Sequence, residues 1–84
     1  MYEIIFSNKA KKQLFKLEKN IQKRIIIVLE RIRIRPESYI TKLVGDPGYK
    51  LRVGDYRIIM DIDNNDLLIL VIKVGHRKEI YKNS

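Results

Sequence analysis

The chain contains no cysteine and only one histidine, at position 76. Without thiols there is no disulfide to staple the fold, no thiolate nucleophile and no cysteine-bound metal, which suits a reducing cytoplasm. A lone histidine excludes a His–His acid–base pair, and no serine has a histidine partnered to it. Two prolines and four glycines leave no linker or low-complexity tract, so the 84 residues read as a single domain, 1–84, with one core. Long apolar runs are missing too. Ile25-Ile26-Ile27-Val28-Leu29 falls far short of a membrane span. Met1-Tyr2-Glu3-Ile4-Ile5-Phe6 is too short and too polar for a signal peptide. The expectation is a soluble cytoplasmic protein with no membrane partner. Asp61, Asp63 and Asp66 cluster, but they lack the spacing and closing glutamate of a calcium loop, so they read as a structural turn. No metal or cofactor is expected.

Positive charge is what the chain has in excess. Eighteen Lys/Arg against ten Asp/Glu give a net charge of +8, which predicts attraction to polyanions. Residues 1–35 hold ten Lys/Arg and three acids, whereas residues 36–84 hold eight and seven. The excess therefore lies on the N-terminal part, including Lys11, Lys12, Lys23 and Arg24, and the rest of the chain keeps its cations at discrete places. Neither half pairs a basic helix face with exposed bulky aromatics, which argues against a lipid surface.

Residues 2–6 are β-branched and aromatic and read as a strand. Ser7 or Asn8 caps a helix running through residue 19, with Ala10, Leu14 and Leu17 inward. Asn20 interrupts and caps a second helix. In it Ile21, Ile25, Val28, Leu29 and Ile32 recur with helical period, and Arg35-Pro36 ends it. Residues 37–48 read as loop. Strands follow at 49–53, 56–63 and 67–74, the last nearly all apolar, as for a central strand covered on both faces. Gly75 is read as the break that ends it. The order β-α-α-β-β-β predicts an α+β fold in which a two-helix hairpin packs on one face of a mostly antiparallel four-stranded sheet.

The stretch Tyr49-Lys50-Leu51-Arg52-Val53-Gly54-Asp55-Tyr56-Arg57 alternates apolar and cationic residues around a Gly-Asp pair, the pattern of a two-residue hairpin. With Gly54-Asp55 as the turn, Val53 faces Tyr56, Leu51 faces Ile58 and Tyr49 faces Met60. On the other side Arg52 stands across from Arg57, with Lys50 beside Ile59. Like charges directly opposed destabilise a sheet, and a fold tolerates such a cluster most readily when an anion, usually phosphate, neutralises it. If Asn64-Asn65 is also a two-residue turn, Ile62 faces Leu67 and Arg57 faces Ile72. Val74 and His76 then join the cationic face, with Leu68 and Leu70 at its other end. Arg77 is out of phase unless a bulge near Gly75 re-aims it. Lys73 receives no role.

These residues can cut a phosphodiester. RNA supplies its own nucleophile, the 2′-hydroxyl, so a protein need only align it and stabilise the phosphorane. Arginine binds phosphate oxygens through a planar fork, and a lysine crowded by arginines can act as base. Each residue also has an ordinary structural reading. Lys50 and Arg52 can be solvated strand residues, Arg57 can pair with Asp55 or Asp61, His76 can be a strand-end residue and Tyr81 can pin the tail.

Together with Lys42-Leu43, the segments Tyr49-Lys50-Leu51-Arg52, Asp55-Tyr56-Arg57, Val74-Gly75-His76-Arg77 and Glu79-Ile80-Tyr81 resemble the RelE/ParE toxin superfamily, on the RelE side. The resemblance runs nearly end to end. It implies an RelE-like, microbial-RNase-like fold and a messenger-RNA interferase that cuts the codon in the ribosomal A site by 2′-hydroxyl attack. By position it assigns Lys50 to charge stabilisation or base chemistry, Arg57 to the scissile phosphate, Arg77 to the family's catalytic arginine after Val-Gly, and Tyr81 to stacking on and orienting the substrate. His76 stands where some members have lysine and is a candidate general acid. Arg52 grips RNA, as do Lys42, Lys11, Lys12, Lys23 and Arg24. The implied partners are a RelB-like antitoxin, the ribosome and its mRNA, with operator DNA bound through the antitoxin. Members with a paired-lysine strand have a longer loop; here Gly48 precedes Tyr49 and only Lys50 is present. Two other readings are a ParE-like inhibitor of DNA gyrase and an inactive domain that only binds antitoxin.

Overall fold

The computed structural model describes residues 1–78. Strand β1 (Glu3–Phe6) leads into α1 (Asn8–Phe15) and α2 (Lys19–Ile32), and a short 3-10 turn at Pro36–Ser38 follows. Four more strands complete the chain: β2 (Thr41–Lys42), β3 (Tyr49–Val53), β4 (Tyr56–Asp63) and β5 (Leu68–His76). They form one sheet in the order β1-β5-β4-β3-β2, with β1 parallel to β5 and the other neighbours antiparallel. The α+β class holds, with five strands rather than four. The extra one is the two-residue β2, which lies in the segment expected to be loop and pairs with the start of β3.

Local chemistry explains the helices. Ser7 caps α1, its hydroxyl accepting from Ala10 N–H at 3.0 Å. Helix α1 stops four residues earlier than expected, and the Gln22 side chain donates to Leu17 O at 2.7 Å. Glu18 rather than Asn20 stands at the N-cap of α2. The inward stripe is as the period predicts. Ala10, Leu14, Ile25, Leu29 and Ile32 are buried, with Leu17, Ile21 and Val28 packed around them. They meet Leu51, Val53, Ile58, Met60, Ile69, Val71 and Val74 from one face of the sheet. Each such Leu or Ile contributes about 1.5–3 kcal/mol by leaving water. Neither α1 nor α2 packs on the opposite face.

The first hairpin has the expected register, Val53 with Tyr56, Arg52 with Arg57, Leu51 with Ile58, Lys50 with Ile59 and Tyr49 with Met60. Gly54 has φ +60 and Asp55 does not have positive φ, the pattern of a type II′ turn. The second hairpin differs. Its loop is four residues, 64–67, because the Asp63 carboxylate accepts from Asn65 N–H and Asp66 N–H at 2.9 and 3.0 Å. Asp63 thus pairs with Leu68 and Ile62 with Ile69. A bulge then falls opposite the Ile59/Met60 step, where Met60 pairs with Val71 but Ile59 pairs with Lys73. Beyond it Ile58 meets Val74, Arg57 meets Gly75 and Tyr56 meets His76. Gly75 therefore lies within β5 instead of ending it.

Candidate active site

Side chains of paired residues share a face, so the register assigns each candidate to one side of the sheet. Buried Leu51, Val53, Ile58 and Met60 mark the helix side. Their neighbours Lys50, Arg52, Arg57 and Ile59 must emerge on the uncovered side. Arg52 and Arg57 stand directly across from one another there, with Lys50 two residues along. Arg52 Nε donates to Gly54 O at 3.2 Å, which folds its head over the hairpin tip.

The bulge decides the rest. An inserted residue at Ile72 shifts the phase of everything after it, and Val74 is consequently buried in the core. His76 goes with Val74. It pairs with Tyr56, and the two rings make an edge contact with centroids 5.6 Å apart. The His76 Nδ1 accepts from Lys78 N–H at 3.3 Å. The expectation that Val74 and His76 share the cationic face is therefore corrected, and the general-acid role for His76 loses its geometric basis. Arg77 lies just beyond β5, where the backbone turns helical, so strand alternation does not assign its side chain to a face. Arg77 N–H donates to Asp55 O at 2.9 Å, one step past the end of β5, so its backbone lies at the Arg52/Arg57 end of the sheet. The bulge expected near Gly75 lies instead at Ile72.

Lys73 is the residue that sequence reasoning missed. It pairs with Ile59, which pairs with Lys50, so it belongs to the uncovered cationic face. Its apolar neighbours gave no signal, because counting by twos through β5 fails at the bulge.

The other candidates scatter. Lys42 pairs with Tyr49 and so turns toward the helix side, away from Lys50. Lys11, Lys12 and Lys23 are exposed on the helices. Arg24 is exposed as well, but its guanidinium reaches the hairpin tip, with Nη1 3.3 Å from where a Cβ on Gly54 would sit. Tyr81 lies outside the described residues. Leu70, 40% exposed, and Ile5, 44% exposed, pair across the sheet at the far end of this face, and in the next row Leu68 is flanked by Glu3 and Asp63. Asp61 faces Leu70 on that side.

Among the described residues, no group of three or more His, Asp or Glu side chains could hold a metal ion. Among the described residues none of Lys50, Arg52 and Lys73 has a carboxylate within ion-pair distance, and the ion pair found is Arg33–Glu30 at 2.8 Å, off this face. A cavity of about 290 Å³ between Pro36, Ile40, Tyr49 and Ile62 lies on the helix side. A strand-shaped anion laid across an open face needs no enclosed pocket. The arrangement suits an extended polyanion held by several guanidinium and ammonium groups.

Residues 4–81 match the family model described as the ParE toxin of the type II toxin–antitoxin system, parDE. No curated protein matches the chain. Several solved structures are similar. The intact RelBE toxin–antitoxin complex of E. coli contains a chain with a TM-score of 0.77 and 28% identity, over 90% of this chain and 96% of that one. The RelB–RelE antitoxin–toxin complex of Methanococcus jannaschii gives 0.72 and 28%, over 94% and 96%. The RelBE2 complex of Mycobacterium tuberculosis gives 0.82 at 23% identity, over 90% and 98%, and bears on the fold alone. Among the described residues, no helix is long and apolar enough to cross a membrane.

Proposed function

The chain belongs to the ParE/RelE family of toxins from type II toxin–antitoxin systems, and from that premise we propose that it is a ribosome-dependent endoribonuclease that cuts messenger RNA in the A site. The observation that carries this reading is the uncovered face on which Arg52 and Arg57 stand opposed, with Lys50 and Lys73 alongside. In the reaction the 2′-oxygen attacks the adjacent phosphorus, and the 5′-oxygen leaves with a proton. The products are a 2′,3′-cyclic phosphate and a 5′-hydroxyl. Arg57 and Arg77 stabilise the phosphorane, Lys50 stabilises charge or takes the 2′-proton, and Tyr81 orients the nucleotide. Arg52 holds the strand. The exposed Lys11, Lys12, Lys23, Arg24 and Lys42 serve ribosomal RNA. The cell compartment is the cytoplasm, where ribosomes work.

The partner that silences the toxin is a RelB-like antitoxin, as in the E. coli and M. jannaschii complexes. Ile5, Leu68 and Leu70, set among Glu3, Asp61 and Asp63, offer it a mixed apolar and acidic surface adjoining the cations. Operator DNA is then bound through the antitoxin.

The matched family description favours one other reading, an inhibitor of DNA gyrase. Purified ribosomes programmed with a defined mRNA separate the two. The nuclease reading expects a cut in the A-site codon that disappears in Arg57→Ala and Arg77→Ala. Gyrase-dependent DNA breaks with intact mRNA would replace it with the gyrase reading.

A further inference from the structure

Lys73 lies between Ile72 and Val74, yet the bulge places it on the uncovered face. Its neighbour Val74 is 1% exposed in the core, and Ile59 across from it alternates with fully buried Ile58 and Met60. One row across the sheet therefore reads Lys50, Ile59, Lys73. The adjacent row on that face reads Arg52, Arg57, Gly75. Strands lie about 4.8 Å apart, so the Lys50 and Lys73 backbones are separated by about 10 Å. Two lysine side chains close such a gap around one phosphate above Ile59. Residues two apart along a strand are about 6.6 Å apart, the order of the spacing between consecutive phosphates in an extended nucleic-acid strand. Among the described residues neither lysine has an ion-pair partner, and the carboxylate of Asp61, the next residue of β4 on this side, accepts from Ile62 N–H at 3.0 Å.

We propose that Lys73 makes a second phosphate subsite beside Lys50, which holds the phosphate next to the scissile one while the arginine row holds the scissile phosphate. The proposal rests on the RNA reading of this face and deepens it. Lys73 is a binding residue. Its contact is made before and during reaction alike, so its loss weakens substrate binding and leaves the turnover of bound substrate intact.

The test titrates the full chain with a single-stranded, eight-nucleotide 2′-O-methyl RNA, which cannot be cut, over a series of salt concentrations. Each phosphate contact on a single strand contributes about 0.7 to the slope of log K against log salt. Lys73→Met and Lys73→Gln are expected to reduce the slope by about 0.7, and Lys73→Arg to keep it. Thermal melts report folding, and the glutamine variant serves if the methionine variant is unstable. An unchanged slope in the neutral variants overturns the subsite, as does wild-type binding without salt dependence. The ribosome assay reads the functional proposal separately. A reduced slope without mRNA cleavage sinks the nuclease and leaves the subsite, whereas cleavage with an unchanged slope sinks only the subsite.

Discussion

At the tip of the first hairpin, Gly54 holds a left-handed backbone beneath the guanidinium of Arg24. A Cβ there meets both a conformational penalty and a side chain only 3.3 Å away. Gly54→Ala should lower unfolding free energy by about 1–2 kcal/mol, read by urea titration. Arg57 poses a different question, since fork geometry rather than charge is what the phosphorane requires. Arg57→Lys should therefore lose nearly as much cleavage as Arg57→Ala. The loss expected is about 10²–10³-fold in the rate for ribosome-bound mRNA, the range seen when one transition-state donor is removed. Retention of most of the rate by the lysine variant would show that charge alone suffices.

Among the elements, β5 depends most on its neighbours. Strand β1 runs beside it only as far as Phe6 and Val71, so backbone groups beyond that point need other partners. Helix α1 and its cap supply them. Ser7 Oγ donates to Ile72 O at 3.0 Å, and Val74 N–H donates to Gln13 Oε1 at 2.8 Å. Gln13→Leu should cost about 1–3 kcal/mol by leaving that amide unsatisfied, again measurable by denaturant titration. Ser7→Ala removes a helix cap together with the tie to the bulge and should cost about 0.5–2 kcal/mol.

The same elements show how far the sequence could be read. The first hairpin was legible to the residue, because Gly54-Asp55 permits one tight turn and the alternation around it one register. The helical stripe was legible because burial follows the 3.6-residue period. The second hairpin was not. Asn64-Asn65 looks like a two-residue turn, but the Asp63 carboxylate wraps four residues. Nothing in the Val71-Ile72-Lys73 run announces an inserted residue, since a bulge arises from how α1 and β4 grip β5 from either side. That one insertion moved His76 off the cationic face and moved Lys73 onto it.

Among the described residues, one sheet face is closed by two helices, and the other presents cations at one end and Ile5, Leu68 and Leu70 among carboxylates at the other. The helices carry most of the remaining positive charge. This division suits a toxin that grips a large RNA by one side and a single strand by the other, with an antitoxin covering the end at Ile5, Leu68 and Leu70. Binding to single-stranded RNA should fall steeply as salt rises, because several phosphates are neutralised together. The most direct test of RNA cleavage on this face uses ribosomes programmed with an mRNA carrying one 2′-deoxynucleotide on the 5′ side of the scissile A-site phosphate. The all-ribose message should be cut there to leave a 2′,3′-cyclic phosphate, and the deoxy message should stay intact at that bond. Cleavage that persists at the deoxynucleotide, or an all-ribose message left whole, would contradict the account.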